Sequence, residues 1–296
     1  MLNTVGILIF VTKKRPKPQL LMQNIELVSK KLDGIPTDVI EIPAGFKPRV
    51  VDDARYRPFS GGVAMINYLT QGTGTLGVIV KRLVTSSKLY GLTNNHVGAN
   101  EDVEGLVPPA AKIGQHWIQP GIHGGGKVPN DVIARLYKWN RIKPRAPNQV
   151  NYYDAAVGEI TAKSLPQAQA YQVKDIGTIK GIENTKLGDK VLKRGRTTRK
   201  TVGMVSGFIL PPSIISVEYR GYSCDFTDQI MIVGQPCRSP FSQPGDSGSL
   251  VVSASSTNGT YKAKALLFAG GRSSDGIDYT IASPIKRVAK DFGLKF

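Results

Sequence analysis

Along most of the chain, hydrophobic positions come in short runs that alternate with polar ones, and turn residues break the runs. Gly77-Val78-Ile79-Val80-Lys81 and Lys262-Ala263-Lys264-Ala265-Leu266 have the period of two that a half-buried strand requires. Leu89–Thr93 reads as a strand running into a short turn, and Leu250-Val251-Val252 as a buried strand. Near the C-terminus the spacing changes to that of a helix over Ser283–Lys290. Ser283 is its expected cap, Pro284 its first residue and Gly293 its stop. Residues 1–55 follow a different order: a strand (Thr4–Val11), a basic link (Lys13–Pro18), a helix (Leu20–Leu32) and a second strand (Thr37–Ile42). The pattern predicts a mainly β protein over residues 56–296, with a C-terminal helix and a small N-terminal α+β extension.

A chain of 296 residues with 41% hydrophobic content can bury one large core. Its 32 glycines and 19 prolines suit many short strands joined by turns. The run Val5–Val11 is too short to span a membrane and has no basic residue before it, so it reads as a buried strand rather than a leader. Two cysteines, Cys224 and Cys237, with no export signal favour free thiols and the cytoplasm, although one bridge is compatible with the count. No internal repeat or low-complexity segment is evident.

Three fragments carry candidate chemistry. Pro244-Gly245-Asp246-Ser247-Gly248-Ser249-Leu250 places a serine in a glycine-rich turn before a strand. Thr93-Asn94-Asn95-His96-Val97 places a histidine at the end of a strand, and Asp154-Ala155-Ala156-Val157 sets a carboxylate before an apolar run. A serine hydroxyl is a poor nucleophile at neutral pH and needs a base beside it. Imidazole can take that proton and return it to a leaving group, and a buried carboxylate fixes its tautomer. The glycines permit a turn in which the amides of Gly245 and Ser247 face one cavity and stabilise an oxyanion. Taken singly, each fragment is equally an ordinary turn or a structural residue. Their joint presence favours nucleophilic catalysis by His96, Asp154 and Ser247. Asp131, in Asn130-Asp131-Val132-Ile133-Ala134, is the rival carboxylate. His116 and His123 flank a Gly/Pro loop, but no Cys pair or H-E-x-x-H helix accompanies them, so neither a metal nor a cofactor is expected.

The motifs T-N-N-H-V, D-A-A-V and P-G-D-S-G-S-L, in that chain order, resemble those of the trypsin/chymotrypsin-like serine peptidases. The resemblance covers about residues 58 to 293. Four further passages, Gly34–Val39, Gly74-Thr75-Leu76-Gly77, Asn94–Val97 and Gly195-Arg196-Thr197-Thr198, are similar to a bacterial trypsin-like branch related to the plant Narrow Leaf 1 type. The resemblance implies two antiparallel six-stranded β-barrels of the chymotrypsin type with a cleft between them, and hydrolysis of peptide bonds through an acyl-enzyme. It also implies that Asp246 is a buried counter-ion shaping the oxyanion loop. No activation sequence precedes the first barrel, and the resemblance gives Asp246 the partner Arg196, so that no proteolytic maturation is needed.

The same resemblance puts the floor of the specificity pocket six residues before the nucleophile, at Phe241, and its wall at Phe268-Ala269-Gly270. An uncharged floor argues against Lys or Arg and for an apolar or small residue before the scissile bond. Phe241 fits the core equally well. A protein or peptide substrate is the expected partner. The net charge of +17 also admits a nucleic-acid or acidic-polymer partner for a protein whose site is silent. No helix-turn-helix, zinc finger or aromatic RNA-binding signature supports that alternative. No membrane association is expected. The extension either mediates assembly, including a homo-oligomer, or blocks the cleft, or lengthens the fold. The sequence does not choose among these.

Overall fold

A computed structural model describes residues 6–11, 29–41, 51–70, 72–84, 87–236, 239–274 and 276–296. The alternating segments become strands, and the strands form two large sheets. The first has eight antiparallel strands in the order Leu294–Lys295, Val78–Arg82, Tyr90–Thr93, Ala156–Ile160, Val132–Trp139, His116–Ile118, Ala64–Asn67 and Gly74–Thr75. It curls into a half-barrel, and no ladder joins its end strands. Backbone bonds just outside the ladders prolong two of its pairs: Gly62 N–H reaches Leu76 O, and Gly77 N–H reaches Leu92 O. The first barrel is thus an open half-barrel, and with the second it gives the double-barrel architecture expected.

The second barrel closes. Leu250–Ser253, Lys190–Gly195, Arg199–Ile209, Gln229–Gln235, Asp278–Pro284 and Thr260–Arg272 pair in a ring that returns to Leu250–Ser253. Three more strands, Gly177–Ile182, Ala168–Val173 and Phe59–Gly61, extend the same sheet. A two-stranded hairpin, Ile215–Tyr219 with Tyr222–Phe226, stands apart from both sheets.

The largest core is shared by the two barrels. Val78, Val80, Leu92 and Val157 from the first pack with Leu250, Val252 and Leu266 from the second. The helix Ile285–Phe292 adds Ile285, Val288 and Phe292, all buried. Each such side chain contributes roughly 1.5–3 kcal/mol on burial, so this shared core holds the barrels against one another. The helix ends at Gly293, in the left-handed region at φ +65°, as expected. Its start differs. Pro284 occupies the N-cap position, while the Ser283 hydroxyl donates to Gln229 Oε1, because Ser283 still belongs to a strand.

The run read as an N-terminal buried strand is the strand Ile7–Val11, parallel to Ile35–Glu41, with Ile7 and Ile9 half-buried. Most of the helix expected over Leu20–Leu32, and the basic link before it, lie outside the described residues. Lys31–Leu32 is a short strand rather than helix. Among the described residues no helix is long and apolar enough to cross a membrane, which says nothing of β-barrel spans.

Candidate active site

Strand register brings the histidine and the aspartate together. Thr93 pairs with Ala156 across the strands Tyr90–Thr93 and Ala156–Ile160. His96 follows one strand on a short helix, Asn95–Gly98, and Asp154 precedes the other. Trp117, fully buried, braces that helix by donating from Nε1 to Gly98 O at 2.7 Å. His96 Nδ1 lies 2.5 Å from Asp154 Oδ2. Asp154 has no exposed surface, and Asn95 N–H and the Tyr219 hydroxyl also donate to its carboxylate. Burial alone would lower the His96 pKa. The Asp154 charge and hydrogen bond outweigh it, with a smaller push from Glu101, and hold the imidazole above its ordinary value. Asp131, the rival carboxylate, is elsewhere, paired with Arg55 at 2.9 Å. His116 bonds Arg135, and His123 is exposed.

Ser247 sits in the loop before the strand Leu250–Ser253. Its Oγ lies 3.5 Å from Phe268 O, and no hydrogen bond between Ser247 and His96 forms among the described residues. In unliganded sites such bonds are often long and tighten only with substrate. Around the loop, the amides of Asp246, Gly248 and Ser249 donate to Gln243 O, Leu267 O and Asp246 O. Those of Gly245 and Ser247 have no internal acceptor among the described residues. Gly245 and Gly248 hold φ at +98° and +92°. A Cβ on Gly248 would collide with Thr75 O and Thr93 Oγ1.

Asp246 is fully buried, as expected, but its partner is not Arg196. Lys193 Nζ, also fully buried, lies 3.1 Å from Asp246 Oδ2. Thr197 N–H and Thr198 N–H donate to the same carboxylate, as does the Thr198 hydroxyl at 2.6 Å. Burial pulls the Lys193 pKa down, and Asp246 opposes that pull. Arg196 points away and forms two bonds to Asp53, from Nε at 2.5 Å and from Nη2 at 2.8 Å. The neighbouring Arg194, equally buried, holds Asp52. Residues 51–53, placed with the extension on sequence, are thus tied into the second barrel.

Three residues of the site escaped the sequence reading in their roles. Thr75 donates from its amide to Ser247 O and from its hydroxyl to Gly245 O, and Thr93 Oγ1 donates to Thr75 O. It joins the serine loop to the strand that leads to His96. Its only signal was the phrase Gly74-Thr75-Leu76-Gly77. Lys193 lies in the cation-rich run Lys193–Lys200, where nothing in the sequence singles it out. Tyr219 precedes the two-residue turn Arg220-Gly221, both in the left-handed region, which is a hairpin signal. Phe241 is in the core of the second barrel, fully buried with Val191, Ile232 and Leu267, so its core reading holds and its place as a pocket floor is corrected. Phe268 is buried against Phe226, Ala269 is half-buried and Gly270 is exposed beside the serine loop. Cys224 is a buried free thiol with its pKa pushed up to about 11 by burial. Cys237 lies outside the described residues.

No protein-family model matches the chain. Protein NARROW LEAF 1 of Oryza sativa subsp. japonica is 28% identical over 207 residues, covering 60% of this chain. The chain spans 31% of that relative's length. Three solved structures have a TM-score of 0.50. Protease A of Thermobifida fusca is 16% identical, over 80% of this chain and 96% of its own. A glutamic acid-specific serine protease with a histidine triad in substrate binding is 15% identical, over 79% and 97%. The α-lytic protease homologue N4 is 16% identical, over 79% and 97%. At these identities the likeness speaks for the fold, and the chain has the double-barrel fold of the trypsin/chymotrypsin-like serine proteases.

Proposed function

We propose that this protein is a serine endopeptidase, with Ser247 as nucleophile, His96 as general base and acid, and Asp154 as the orienting carboxylate. The observation that carries the reading is the 2.5 Å contact of His96 Nδ1 with a fully buried carboxylate, which leaves Nε2 for the serine. Ser247 Oγ attacks the scissile carbonyl carbon while its proton passes to His96 Nε2. The amides of Gly245 and Ser247, which have no internal acceptor among the described residues, receive the oxyanion. The C–N bond then breaks as His96 returns the proton to the leaving amine, and water hydrolyses the acyl-enzyme by the same route. The wall Phe268-Ala269-Gly270 carries no charge, which supports an apolar or small residue before the scissile bond. Lys193 neutralises Asp246 from within the fold, which supports an enzyme active without a freed N-terminus. With Cys224 a free thiol, such an enzyme suits the cytoplasm. Intact-mass labelling with a fluorophosphonate tests the reading. One adduct on the wild type and none on Ser247→Ala is expected. No adduct on the wild type would overturn it.

A second reading, binding of an anionic polymer such as nucleic acid, is favoured by one groove of about 630 Å³. Arg141, Lys143, Lys286, Arg287 and Lys290 line it, against Asp228 and Asp291. Affinity for duplex DNA that falls steeply with added salt would support this reading, and no measurable binding at low salt would remove it.

A further inference from the structure

The hairpin Ile215–Phe226 arises from the second barrel, between the strands Arg199–Ile209 and Gln229–Gln235, yet its side chains bond to the first. At its tip, Arg220 Nε donates to Asn100 O at 3.0 Å, its terminal nitrogen donates to Asn100 Oδ1 at 2.8 Å, and its amide reaches Glu101 Oε2. Asn100 and Glu101 follow the helix that carries His96. At its base, Arg145 pairs with Asp225 at 2.7 Å, and Asn151 Nδ2 donates to Asp225 O. Arg145 and Asn151 precede Asp154. The hairpin therefore clamps the chain on both sides of the candidate base and its carboxylate. Between tip and base, Tyr219 is 3% exposed and its hydroxyl donates to Asp154 Oδ2 at 2.9 Å. That is the same oxygen that faces His96 Nδ1.

We propose that Tyr219 is a positioning residue for the His96–Asp154 pair, delivered across the cleft by a hairpin that makes the pair depend on docking of the two barrels. This rests on the serine-peptidase reading above. A carboxylate with one neighbour can rotate. Here Asn95 N–H fixes Oδ1 while Tyr219 and His96 share Oδ2, so the plane of the carboxylate is set from three sides. The phenol stays a donor at every working pH, because burial and then the Asp154 charge push its pKa well above the ordinary value. The charged and titratable groups facing His96 are Asp154, Tyr219 and Glu101, and Cys224 also faces Tyr219. The ring packs 5.9 Å from that of Phe226 and 6.1 Å from the imidazole, so phenylalanine can keep the packing and lose only the hydroxyl.

Tyr219→Phe is the test, with two readouts on the full chain. The rate of fluorophosphonate labelling should fall about tenfold or more, the effect of losing a hydrogen bond to a charged group. The NMR titration midpoint of His96, one of three histidines, should move up, because the carboxylate charge is no longer shared with the phenol. A labelling rate and a midpoint both equal to wild type overturn the proposal. If the wild type itself is not labelled, the peptidase reading fails, and the midpoint alone decides the role of Tyr219. If Tyr219→Phe does not fold, Arg220→Ala, which frees the exposed tip and leaves Asp154 untouched, is read in the same two ways. A smaller fall with a moved midpoint is then expected, and no change in either overturns the proposal.

Discussion

Lys193 Nζ lies 3.1 Å from Asp246 Oδ2, and neither side chain has any exposed surface. A dry ion pair of this kind is costly to form and far costlier to halve. Thr197, Thr198 and Gln243 add donors to the carboxylate, so the pair fixes the loop that carries Ser247. Lys193→Met should cost about 3–5 kcal/mol and lower the melting temperature on the order of 10 °C. Labelling of Ser247 should be lost with it. A variant that melts like wild type would remove the pair from the account of the loop.

Arg196 and Asp53 form a separate pair, with side chains 12% and 16% exposed. Arg196→Ala should cost roughly 1–2 kcal/mol, between the values for exposed and fully buried pairs. Its labelling rate should stay near wild type, because Asp246 keeps all its partners. Asp53→Asn and the double variant complete a cycle, whose coupling energy measures the pair. Loss of labelling in Arg196→Ala with an unchanged melt would return control of the loop to the arginine.

Thr75 bridges the barrels through its hydroxyl as well as its amide. Thr75→Val keeps shape and amide but removes the bonds to Gly245 O and from Arg196 N–H. About 1–3 kcal/mol of stability should go, since two half-buried partners lose their mate. Because Gly245 carries a candidate oxyanion amide, kcat should fall more than KM rises. Stability and turnover measured on the same preparations decide this, and an unchanged kcat would sink it.

The His96 pKa is raised in the folded protein, and this sets two opposite pH dependences. Protonated His96 gains from Asp154. That stability is fully present below the ordinary imidazole value of about 6.5 and is lost as pH rises through the higher folded pKa. Turnover needs the neutral imidazole, so it should rise across the same window. Melting temperatures and kcat/KM measured together should therefore cross. In His96→Gln the stability part should vanish. Parallel profiles would contradict the assignment of His96 as the base.

The local pattern was enough for the barrel strands around the site. Val78–Arg82, Tyr90–Thr93 and Leu250–Ser253 fell where alternation or a buried run placed them, because a strand's two faces are written in adjacent residues. The three candidate catalytic residues were legible for a related reason: each stands in a short motif whose neighbours build its own turn or strand end. The C-terminal helix was seen, but its start was set one residue too early. Ser283 had a stronger partner in Gln229 than in the helix, and that partner lies 54 residues away in sequence.

What the sequence determined by itself is therefore the set of short strands and the His96, Asp154 and Ser247 motifs. Tertiary structure alone decided who pairs with whom. Nothing in Lys193-Arg194-Gly195-Arg196 tells which cation turns inward. Strand alternation sends Lys193 to Asp246, while the turn beyond Gly195 releases Arg196 toward Asp53. Phe241 became core, and Tyr219 came to Asp154 from 65 residues away, for the same reason. Buried charges and hydroxyls take partners from whichever strand the barrels bring near, and that proximity is a property of the closed fold, not of neighbouring residues.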